Sequence, residues 1–294
     1  MTICIGFIGF GEVGHAVAKG MTPQGVHARA YDTLMHEPGA RRALFDRAAE
    51  VGVTLGESNV EMVPPCDVVF STVVTSNCLA AAAAAAPHMH EGQFFVDMNS
   101  AAPAVKRNAQ QLVEGFGARY VDAGVMAAVP PRLHRVPILL AGAASADLVE
   151  LLAPFGMEME LLSPHVGDAA AAKLFQSILI KGTEALLMEC LLAASQTGVE
   201  RHVLDSMSRS TPGLDWVARA NYMLSRTARH GARRADEMNE VVDTLTEMGI
   251  EPMVARGAAQ RLRWAAERTH AKRDTNEMPG YREVIAVLRA ADTA

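Results

Sequence analysis

Residues 3–32 read ICIGFIGFGEVGHAVAKGMTPQGVHARAYD, and this stretch decides the fold class. A short apolar run at 3–8 is followed at once by GFGEVG, then by a helical stretch at 15–21 and a second apolar run at 26–31. A strand, a glycine turn, a helix and a second strand within about 30 residues are typical of a βαβ unit. The start of the chain therefore predicts two neighbouring parallel strands joined by a helix.

The glycines of this stretch have the spacing G-x-G-x-x-G. Gly9 permits a tight turn, Gly11 lets the backbone approach a pyrophosphate, and Gly14 lets the helix pack closely on the strand. The N–H groups at the start of the helix favour the negative charge of the phosphates. Glycines that only form a turn are the alternative, but their position between strand and helix favours a dinucleotide site. The predicted cofactor-binding residues here are Gly9, Phe10, Gly11, Glu12, Val13 and Gly14.

Asp32 stands at the end of the second predicted strand, at the spacing where an acidic side chain binds the adenine ribose. A carboxylate accepts hydrogen bonds from both ribose hydroxyls and repels a 2′-phosphate, so Asp32 favours NAD. Arg41 and Arg42 follow soon after and could instead bind the phosphate of NADP. NAD is therefore the expected cofactor, and NADP stays open.

Alternating strands and helices continue to about residue 163. The polar residues 75–77 are placed to cap the alanine-rich helix that follows them. This alternation predicts a doubly wound parallel sheet, a Rossmann-type α/β domain over residues 1–164. Its further strands are predicted at 68–74, 94–98, 119–122 and 136–141.

The pattern changes after residue 167, and no strand is predicted beyond it. Residues 169–197 can form one long helix that is apolar on all sides, as expected of a buried helix. This helix joins the α/β domain to an all-helical domain over residues 165–294, and the substrate is expected between the two, near the ends of the parallel strands. Further helices are predicted at 201–208, 213–229, 232–248, 252–268 and 280–292.

The composition is that of a globular protein, with 50% hydrophobic and 20% charged residues and a net charge of −6. Acidic and basic residues are interspersed, without the basic face that nucleic-acid binding requires. The first residues lack the basic region of a signal peptide, and the alanine run at 80–86 is too short to span a membrane. A cytoplasmic protein with neither nucleic-acid nor membrane partners is expected.

The cysteines form no C-x-x-C pair and stand in apolar or mixed surroundings. Buried thiols are therefore expected, rather than disulfides or metal ligands, and no metal site is predicted. The four residues are Cys4, Cys66, Cys78 and Cys190.

The segment GDAAAAKLFQS at 167–177 places Lys173 in a small and apolar run near the start of the long helix. Transfer of a hydride from an alcohol to a nicotinamide requires a base for the hydroxyl proton. Lysine serves if burial lowers its pKa, whereas arginine stays protonated. Only five of the 27 basic residues are lysines, which supports a need for a removable proton at Lys173. Alternatively, Lys173 extends to solvent and the helix is only a spacer.

Four motifs in this order resemble the β-hydroxyacid dehydrogenases, which include 3-hydroxyisobutyrate dehydrogenase and 6-phosphogluconate dehydrogenase. They are GFIGFGEVG at 6–14, DMNSAAP at 97–103, DAGVMAAVPP at 122–131 and GDAAAAKLFQS at 167–177. RHGARRADEMNEVVDTLTEMG at 229–249 resembles the helical domain of a poorly characterised branch that is similar to phosphogluconate dehydrogenases. The resemblance extends over essentially the whole chain.

The resemblance implies oxidation of a hydroxyl β to a carboxylate with NAD or NADP, with a lysine of the interdomain helix as general acid and base. Lys173 matches that lysine, and Asn99 and Ser100 match the polar pair that contacts substrate and nicotinamide ribose. A homodimer formed through the C-terminal helices is implied as well. The segment that lies along the cofactor in this family corresponds to Val73, Val74 and Thr75.

The sequence departs from the family pattern at residues 126–128, at Ser177 and at Ala169, which stands where the family has a second glycine before the lysine. The Ser-Gly-Gly segment that binds the acidic end of the substrate is replaced by Met126, Ala127 and Ala128, which indicates a bulkier and less polar contact at Met126. One turn after the lysine, Ser177 stands where asparagine is usual, with Gln176 beside it. Both lie three to four residues after Lys173 and share its helix face, so they are predicted to bind substrate.

A basic cluster of His230, Arg233 and Arg234 precedes Glu237 and Glu240. The two arginines are candidates for an anion clamp that would replace the missing Ser-Gly-Gly contact, since arginine binds carboxylates and phosphates in a bidentate manner. The alternative is a solvated helix face with i,i+4 ion pairs.

The sequence as a whole predicts an NAD(P)-dependent dehydrogenase that acts on the hydroxyl of a 3-hydroxy acid. Two other enzyme activities on the same scaffold stay open, reduction of an imine and oxidation followed by decarboxylation. A nicotinamide-binding protein without turnover is the alternative from another class.

Overall fold

The first half of the protein is built on one sheet, seen in a computed structural model that describes residues 3–269 and 279–290. The strands are β1 (Cys4–Ile8), β2 (His27–Tyr31), β3 (Thr54–Leu55), β4 (Val68–Ser71), β5 (Phe94–Asp97), β6 (Arg119–Val125), β7 (Ile138–Ala141) and β8 (Met159–Ser163). Their order across the sheet is β3-β2-β1-β4-β5-β6-β7-β8. The reversal of strand order beside β1 is that of a doubly wound sheet.

Helices connect most of these strands. They are α1 (Glu12–Met21), α2 (Pro38–Glu50), α3 (Asn59–Met62), α4 (Cys78–Ala85), α5 (Pro103–Glu114) and α6 (Ser145–Leu152). The sheet buries one apolar cluster around Phe7 and Phe70 and another around Phe95 and Tyr120. A parallel sheet that is covered on both faces produces the continuous apolar runs from which the strands were predicted. The predicted α/β fold class is confirmed.

The sheet departs from the prediction at β7, which pairs antiparallel with β6. The connection over residues 126–137 contains no α-helix, and a short connection without a crossover helix favours an antiparallel return. The short strand β3 and the edge strand β8 were not predicted. Three of the five residues of β8 are exposed, so its sequence lacks the apolar pattern of a buried strand.

The second half is helical throughout its described residues. Its helices are α7 (Asp168–Ser195), α8 (Glu200–Ser210), α9 (Trp216–Glu247), α10 (Met253–Arg268) and α11 (Tyr281–Ala290). Two helices were predicted at 213–229 and 232–248, and α9 indeed consists of two helical segments that meet at a kink at His230, where the backbone is not helical. The neighbouring Gly231 packs against Ala266, where a Cβ would lie 3.0 Å from the alanine Cβ. The predicted helix at 280–292 extends past the described residues.

The chain divides into two compact units, Met1–Lys173 and Leu174–Ala294, with the division inside α7. The prediction that α7 is buried on all sides is wrong. Leu179 and Leu186 are 73% and 68% exposed, while the charged residues Lys181 and Glu184 are buried. Among the described helices, none is both long enough and apolar enough to cross a membrane.

Candidate active site

The glycine loop between β1 and α1 has the geometry of a phosphate-binding turn. Gly9 has a φ of +80°, which favours glycine. A Cβ on Gly14 would lie 2.9 Å from Thr72 Oγ1 and 3.0 Å from the Gly9 carbonyl oxygen, so α1 packs directly on the turn. A Cβ on Gly11 would meet no atom within 4 Å among the described residues. The side of the loop at Gly11 is therefore open to a ligand, as a pyrophosphate requires.

The Asp32 carboxylate accepts a backbone hydrogen bond from this loop. The Phe10 N–H donates to Asp32 Oδ2 over 2.7 Å, and the Leu34 N–H donates to Asp32 Oδ1 over 2.9 Å. Each carboxylate oxygen retains a second acceptor site for a ribose hydroxyl. The Phe10 side chain is fully buried in the core, so this predicted cofactor residue contributes its backbone.

The two arginines that could bind a 2′-phosphate lie beside carboxylates. Arg41 forms an ion pair with Glu57 at 3.1 Å. Arg42 has a 93% exposed side chain and lies 4.0 Å from Asp46. The positive charge of each guanidinium group thus has a carboxylate within 4.0 Å.

The predicted segment 73–75 lies between the glycine loop and Ser100. The Thr72 hydroxyl donates to the Gly9 carbonyl over 2.6 Å, and the Thr75 hydroxyl donates to the Ser100 carbonyl over 3.0 Å. Val73 is half-buried against Gly9, and Val74 is 65% exposed. Residues 75–77 form a 3-10 turn and make no side-chain cap on α4, contrary to the capping prediction.

These loops meet because the strands are in register. Ile8, Ser71, Asp97 and Asp122 form one row across β1, β4, β5 and β6. Each of these strands is parallel to the next, so the residues that follow the row lie along one edge of the sheet. The glycine loop and Thr72 follow the row directly, and Asn99 follows it by two residues.

Asn99 is buried at this edge with one side of its amide engaged. Its Nδ2 donates to Ser71 Oγ over 2.9 Å and to Asp97 Oδ1 over 2.7 Å. Its Oδ1 is buried and has no hydrogen-bond partner among the described protein atoms. Buried polar atoms are nearly always satisfied, so this acceptor fits a donor supplied by a ligand, such as a ribose hydroxyl.

Asn99 is hydrogen-bonded through Asp97 to a buried charge cluster, here called the carboxylate–lysine cluster. Its members are Asp97, Lys106, Tyr120 and Asp122. The Lys106 amine lies 2.9 Å from Asp97 and 3.3 Å from Asp122, and all three side chains are fully buried. The Tyr120 hydroxyl donates to Asp97 Oδ2 over 2.8 Å. Ion pairs of this kind require close geometry, because the charges have lost their water.

The ionisation of the cluster follows from this geometry. Burial acts to lower the pKa of Lys106, but the two carboxylates outweigh it and the pKa is raised. Burial also raises the pKa of Tyr120 well above its ordinary value, with Asp97 and Asp122 acting in the same direction. Lys106 is therefore a fixed cation, and Tyr120 is a neutral donor.

The cluster continues to the start of α7. Asp122 Oδ2 accepts hydrogen bonds from the Gly167 N–H over 3.1 Å and the Ala170 N–H over 3.0 Å. On the same strand, a Cβ on Gly124 would lie 2.7 Å from the Ala169 carbonyl oxygen. The start of the helix that carries Lys173 is thus held directly against β6.

Lys173 lies in the second turn of α7 and is half-buried. Within the same compact unit, the predicted substrate residue Met126 follows β6 and is half-buried, and its N–H donates to the Pro137 carbonyl over 2.9 Å. Ala127 and Ala128 beside it are exposed.

In the helical unit, Gln176 and Ser177 are half-buried on α7. The Lys181 amine donates to Ser177 Oγ over 2.9 Å and forms an ion pair with Glu237 at 2.8 Å. Burial lowers the pKa of Lys181, and Glu237 opposes this shift only in part. Lys181 was not predicted as a site residue.

The two clamp candidates differ in their surroundings. Arg234 is buried and paired with fully buried Glu184 through two hydrogen bonds, of which the Nε–Oε1 bond is 3.1 Å long. Thr227 donates to the same carboxylate. Arg233 is 63% exposed and lies 3.8 Å from Glu237. Arg234 therefore neutralises a core carboxylate, and Arg233 has the geometry of the predicted i,i+4 pair.

Sequence reasoning missed Lys106 and Lys181, although a signal for both was present. The chain prefers arginine, and two of the four lysines in the described residues are buried in ion pairs. The compact ammonium group fits such sites better than the larger guanidinium group. No group of three or more histidine, cysteine, aspartate and glutamate side chains suited to a metal ion occurs in the described residues.

Comparison with known proteins bears on both units. The family described as "NAD binding domain of 6-phosphogluconate dehydrogenase" matches residues 4–156, and a domain of unknown function (DUF1932) matches residues 194–265. The mitochondrial 3-hydroxyisobutyrate dehydrogenase of Drosophila melanogaster is 22% identical over 73% of this chain, and the match covers 65% of that enzyme.

Two solved structures are more similar in sequence. A conserved hypothetical protein of Sinorhizobium meliloti 1021 is 37% identical, with a TM-score of 0.78, and the match covers 99% of this chain and 97% of that one. A conserved protein of unknown function, reported as structurally similar to 3-hydroxyacid dehydrogenases, is 31% identical with a TM-score of 0.70 over 91% of this chain and 99% of its own. On its sequence, its glycine loop and its fold, the chain belongs to the β-hydroxyacid dehydrogenase superfamily.

Proposed function

We propose that the protein is an NAD-dependent dehydrogenase that oxidises the hydroxyl of a 3-hydroxy acid, with Lys173 as general acid and base. The supporting observation is that two backbone N–H groups at the start of α7, those of Gly167 and Ala170, donate to Asp122 of β6. The helix that carries Lys173 therefore begins against a strand of the nucleotide-binding sheet. Asp122 is in register with Asp97, and Asn99 follows Asp97 by two residues. The proposed base and the cofactor-binding residues are thus held by strands of the same sheet.

The residues present suit a dinucleotide. The open side of Gly11 and the N-terminus of α1 would hold the pyrophosphate, and Asp32 would accept from the ribose hydroxyls. The Asn99 amide oxygen would accept from the nicotinamide ribose or the substrate hydroxyl. The nicotinamide, when bound, accepts the hydride. The Lys173 amine, in its neutral form, takes the hydroxyl proton in oxidation and returns it in reduction.

The substrate is proposed to be less polar than the usual family substrates at the end that contacts residues 126–128. Met126, Ala127 and Ala128 offer no side-chain hydrogen-bond donor in place of Ser-Gly-Gly. Gln176 and Ser177 on α7 supply polar groups, and Arg233 remains a candidate for the anionic end of the substrate.

The direct test is a panel of aliphatic and aromatic 3-hydroxy acids, with NADH formation followed by absorbance. At least one acid should be oxidised, and an apolar substituent should increase kcat/KM. The Arg233→Ala variant should raise KM for that acid if Arg233 binds its carboxylate. Cofactor affinity without absorbance change for any acid would instead support a binding protein without turnover.

NAD should bind more tightly than NADP, and Asp32 should be the reason. Loss of a charged hydrogen-bond acceptor for a ribose hydroxyl weakens binding by about tenfold or more. The Asp32→Asn variant should therefore lose most of the preference, as measured by calorimetric titration with both cofactors. The control is Lys19→Ala, because this exposed lysine is paired with Glu50 and should not affect the binding of either cofactor. Tighter NADP binding by the unmodified protein would contradict the role given to Asp32.

A homodimer through the helical unit is proposed from its exposed apolar residues. Leu179, Leu186, Met253 and Val254 are 61% to 75% exposed. Gly182 lies near Val254, since its Cβ would be 3.8 Å from Val254 Cγ1, so α7 and α10 meet at this surface. Exposed apolar surface of this kind is typical of an association site.

Light scattering should therefore give twice the mass of one chain. The double variant Leu179→Glu, Leu186→Glu should give the mass of one chain. Leu161→Glu is the matched control, because this half-exposed leucine lies on β8 in the other unit and should leave the dimer intact. A monomeric unmodified protein would refute the dimer.

A further inference from the structure

Cys4 and Cys66 are brought together by the pairing of β1 with β4. Ile5 is in register with Val68, so Cys4 and Cys66 lie at the adjoining start of the two strands. Their sulfur atoms are 3.7 Å apart. The Cys4 N–H donates to Asp67 Oδ2 over 2.8 Å, and the Asp67 N–H donates to the Cys4 carbonyl over 2.8 Å. The backbone on either side of the two thiols is therefore held in place.

The two thiols differ in exposure. Cys66 is 1% exposed, and its thiol donates to the Met62 carbonyl over 3.0 Å. Cys4 is half-buried and lines a cavity of about 330 Å³ together with His27 and Arg29. One thiol is thus reachable by a small solute, and the other lies directly behind it.

The charges around the pair also differ between the two sulfur atoms. The hydrogen bond with Cys66 lowers the pKa of Cys4, and the Arg29 cation acts in the same direction, against burial and Asp67. The hydrogen bond with Cys4 and burial raise the pKa of Cys66 strongly. Cys4 is therefore the sulfur with the lower pKa and the greater exposure, which is the pattern of reactive cysteines.

Room for a bond between the sulfur atoms comes from Gly6. A Cβ at this position of β1 would lie 2.9 Å from Cys66 Sγ, so the absence of a side chain lets Cys66 lie against the strand. A disulfide needs a sulfur separation of about 2.05 Å, which is closer than the present 3.7 Å. A side-chain rotation must supply this approach, and Cys4 borders the cavity whereas Cys66 is buried against β1.

We propose that Cys4 and Cys66 form a reversible disulfide in response to peroxide, with Cys4 as the reacting thiol and Cys66 as the resolving thiol. The Cys4 thiolate attacks one peroxide oxygen, the O–O bond breaks, and hydroxide leaves, which oxidises Cys4 to a sulfenic acid. The Cys66 sulfur then attacks the Cys4 sulfur and displaces the hydroxyl. Together, two thiols and one hydrogen peroxide become one disulfide and two waters.

The test uses the full-length protein, treated with stoichiometric hydrogen peroxide, alkylated with N-ethylmaleimide in urea, digested and analysed by mass spectrometry. Labelling should be lost at Cys4 and Cys66 together, a peptide joining the two should appear, and dithiothreitol should restore both. Cys190, which is exposed, and Cys78 serve as internal controls whose labelling should persist. Persistent labelling of Cys4 and Cys66 under peroxide would overturn the proposal.

Variants separate the two roles. In Cys66→Ser, peroxide should leave a sulfenic acid on Cys4 that dimedone traps. In Cys4→Ser, Cys66 should stay unmodified and no linked peptide should form. Dimedone labelling of Cys66 in the Cys4→Ser protein, or of Cys190 alone in the Cys66→Ser protein, would assign the reactivity elsewhere and refute the proposed order. None of these readouts requires turnover, so the result is independent of the proposed dehydrogenase activity.

Discussion

Replacement of Lys173 by alanine is expected to lower kcat by about 100- to 10,000-fold, the usual contribution of a general acid or base. The affinity for NAD should be unchanged, because the glycine loop and Asp32 are held by contacts that do not involve Lys173. Steady-state kinetics on the best acid of the panel and calorimetric titration with NAD measure the two quantities separately. Turnover close to that of the unmodified protein would exclude Lys173 as the base.

The Lys173→Arg variant distinguishes a requirement for a positive charge at this position from a requirement for a removable proton. Arginine keeps a cation at this position but cannot release a proton in this pH range. It should be as inactive as the alanine variant if Lys173 is the base, and should retain much of the activity if only a charge is needed. Lys19→Ala is the matched control, since this lysine is exposed and forms a surface pair with Glu50.

Replacement of Lys106 by methionine is expected to destabilise the fold by about 3–5 kcal/mol, the cost of removing one partner of a buried ion pair. Methionine fills similar volume, but Asp97 and Asp122 would then be buried without their cation. Unfolding by urea at neutral pH measures the change. A loss of stability no larger than that of the exposed-site variant Lys19→Met would show that the cluster is not a stabilising ion pair.

The same cluster should make stability depend on alkaline pH. The pKa of Lys106 is raised above its ordinary 10.5 in the folded protein, so the folded state holds the proton more tightly than the unfolded state. Its stabilising contribution is complete below that ordinary value and is lost as the pH rises through the folded pKa. The Lys106→Met variant should lack this alkaline loss. The double variant Lys106→Met, Asp97→Asn should recover part of the lost stability, because it removes one of the two buried carboxylates that lost their cation.

The sequence predicts those parts of the fold that depend on local pattern. The spacing of Gly9, Gly11 and Gly14 after an apolar run, with Asp32 at the end of the next, specifies a turn whose conformation is set within a few residues. Edge strand β8 was missed because an exposed strand carries no apolar run, and the direction of β7 depends on what connects it to β6 rather than on its residues.

The site was predicted less completely, because charge pairing depends on distant residues. Arg234 and Glu184 are 50 residues apart, and each looks like a solvated side chain until the helices bring them together. Asp97 and Asp122 belong to two recognised motifs, but only the register of β5 with β6 places them around Lys106. Lys173, Asn99 and Asp32 could be named in advance, since Lys173 and Asn99 lie within two of the motifs and Asp32 stands at the end of the strand that comes after the glycine motif. Their roles remain predictions.

The contact of Gly124 with the start of α7 has a consequence for how this enzyme class can diversify. Residue 124 cannot gain a side chain without displacing the Ala169 backbone, and Asp122 is committed to the helix. Residues 126–128 follow the strand, and two of them are exposed, so they can change without moving the helix. Mutation at 126–128 is therefore expected to change the proposed substrate contact while Lys173, the proposed base, keeps its place. The same segment is the natural target for libraries that seek new substrates.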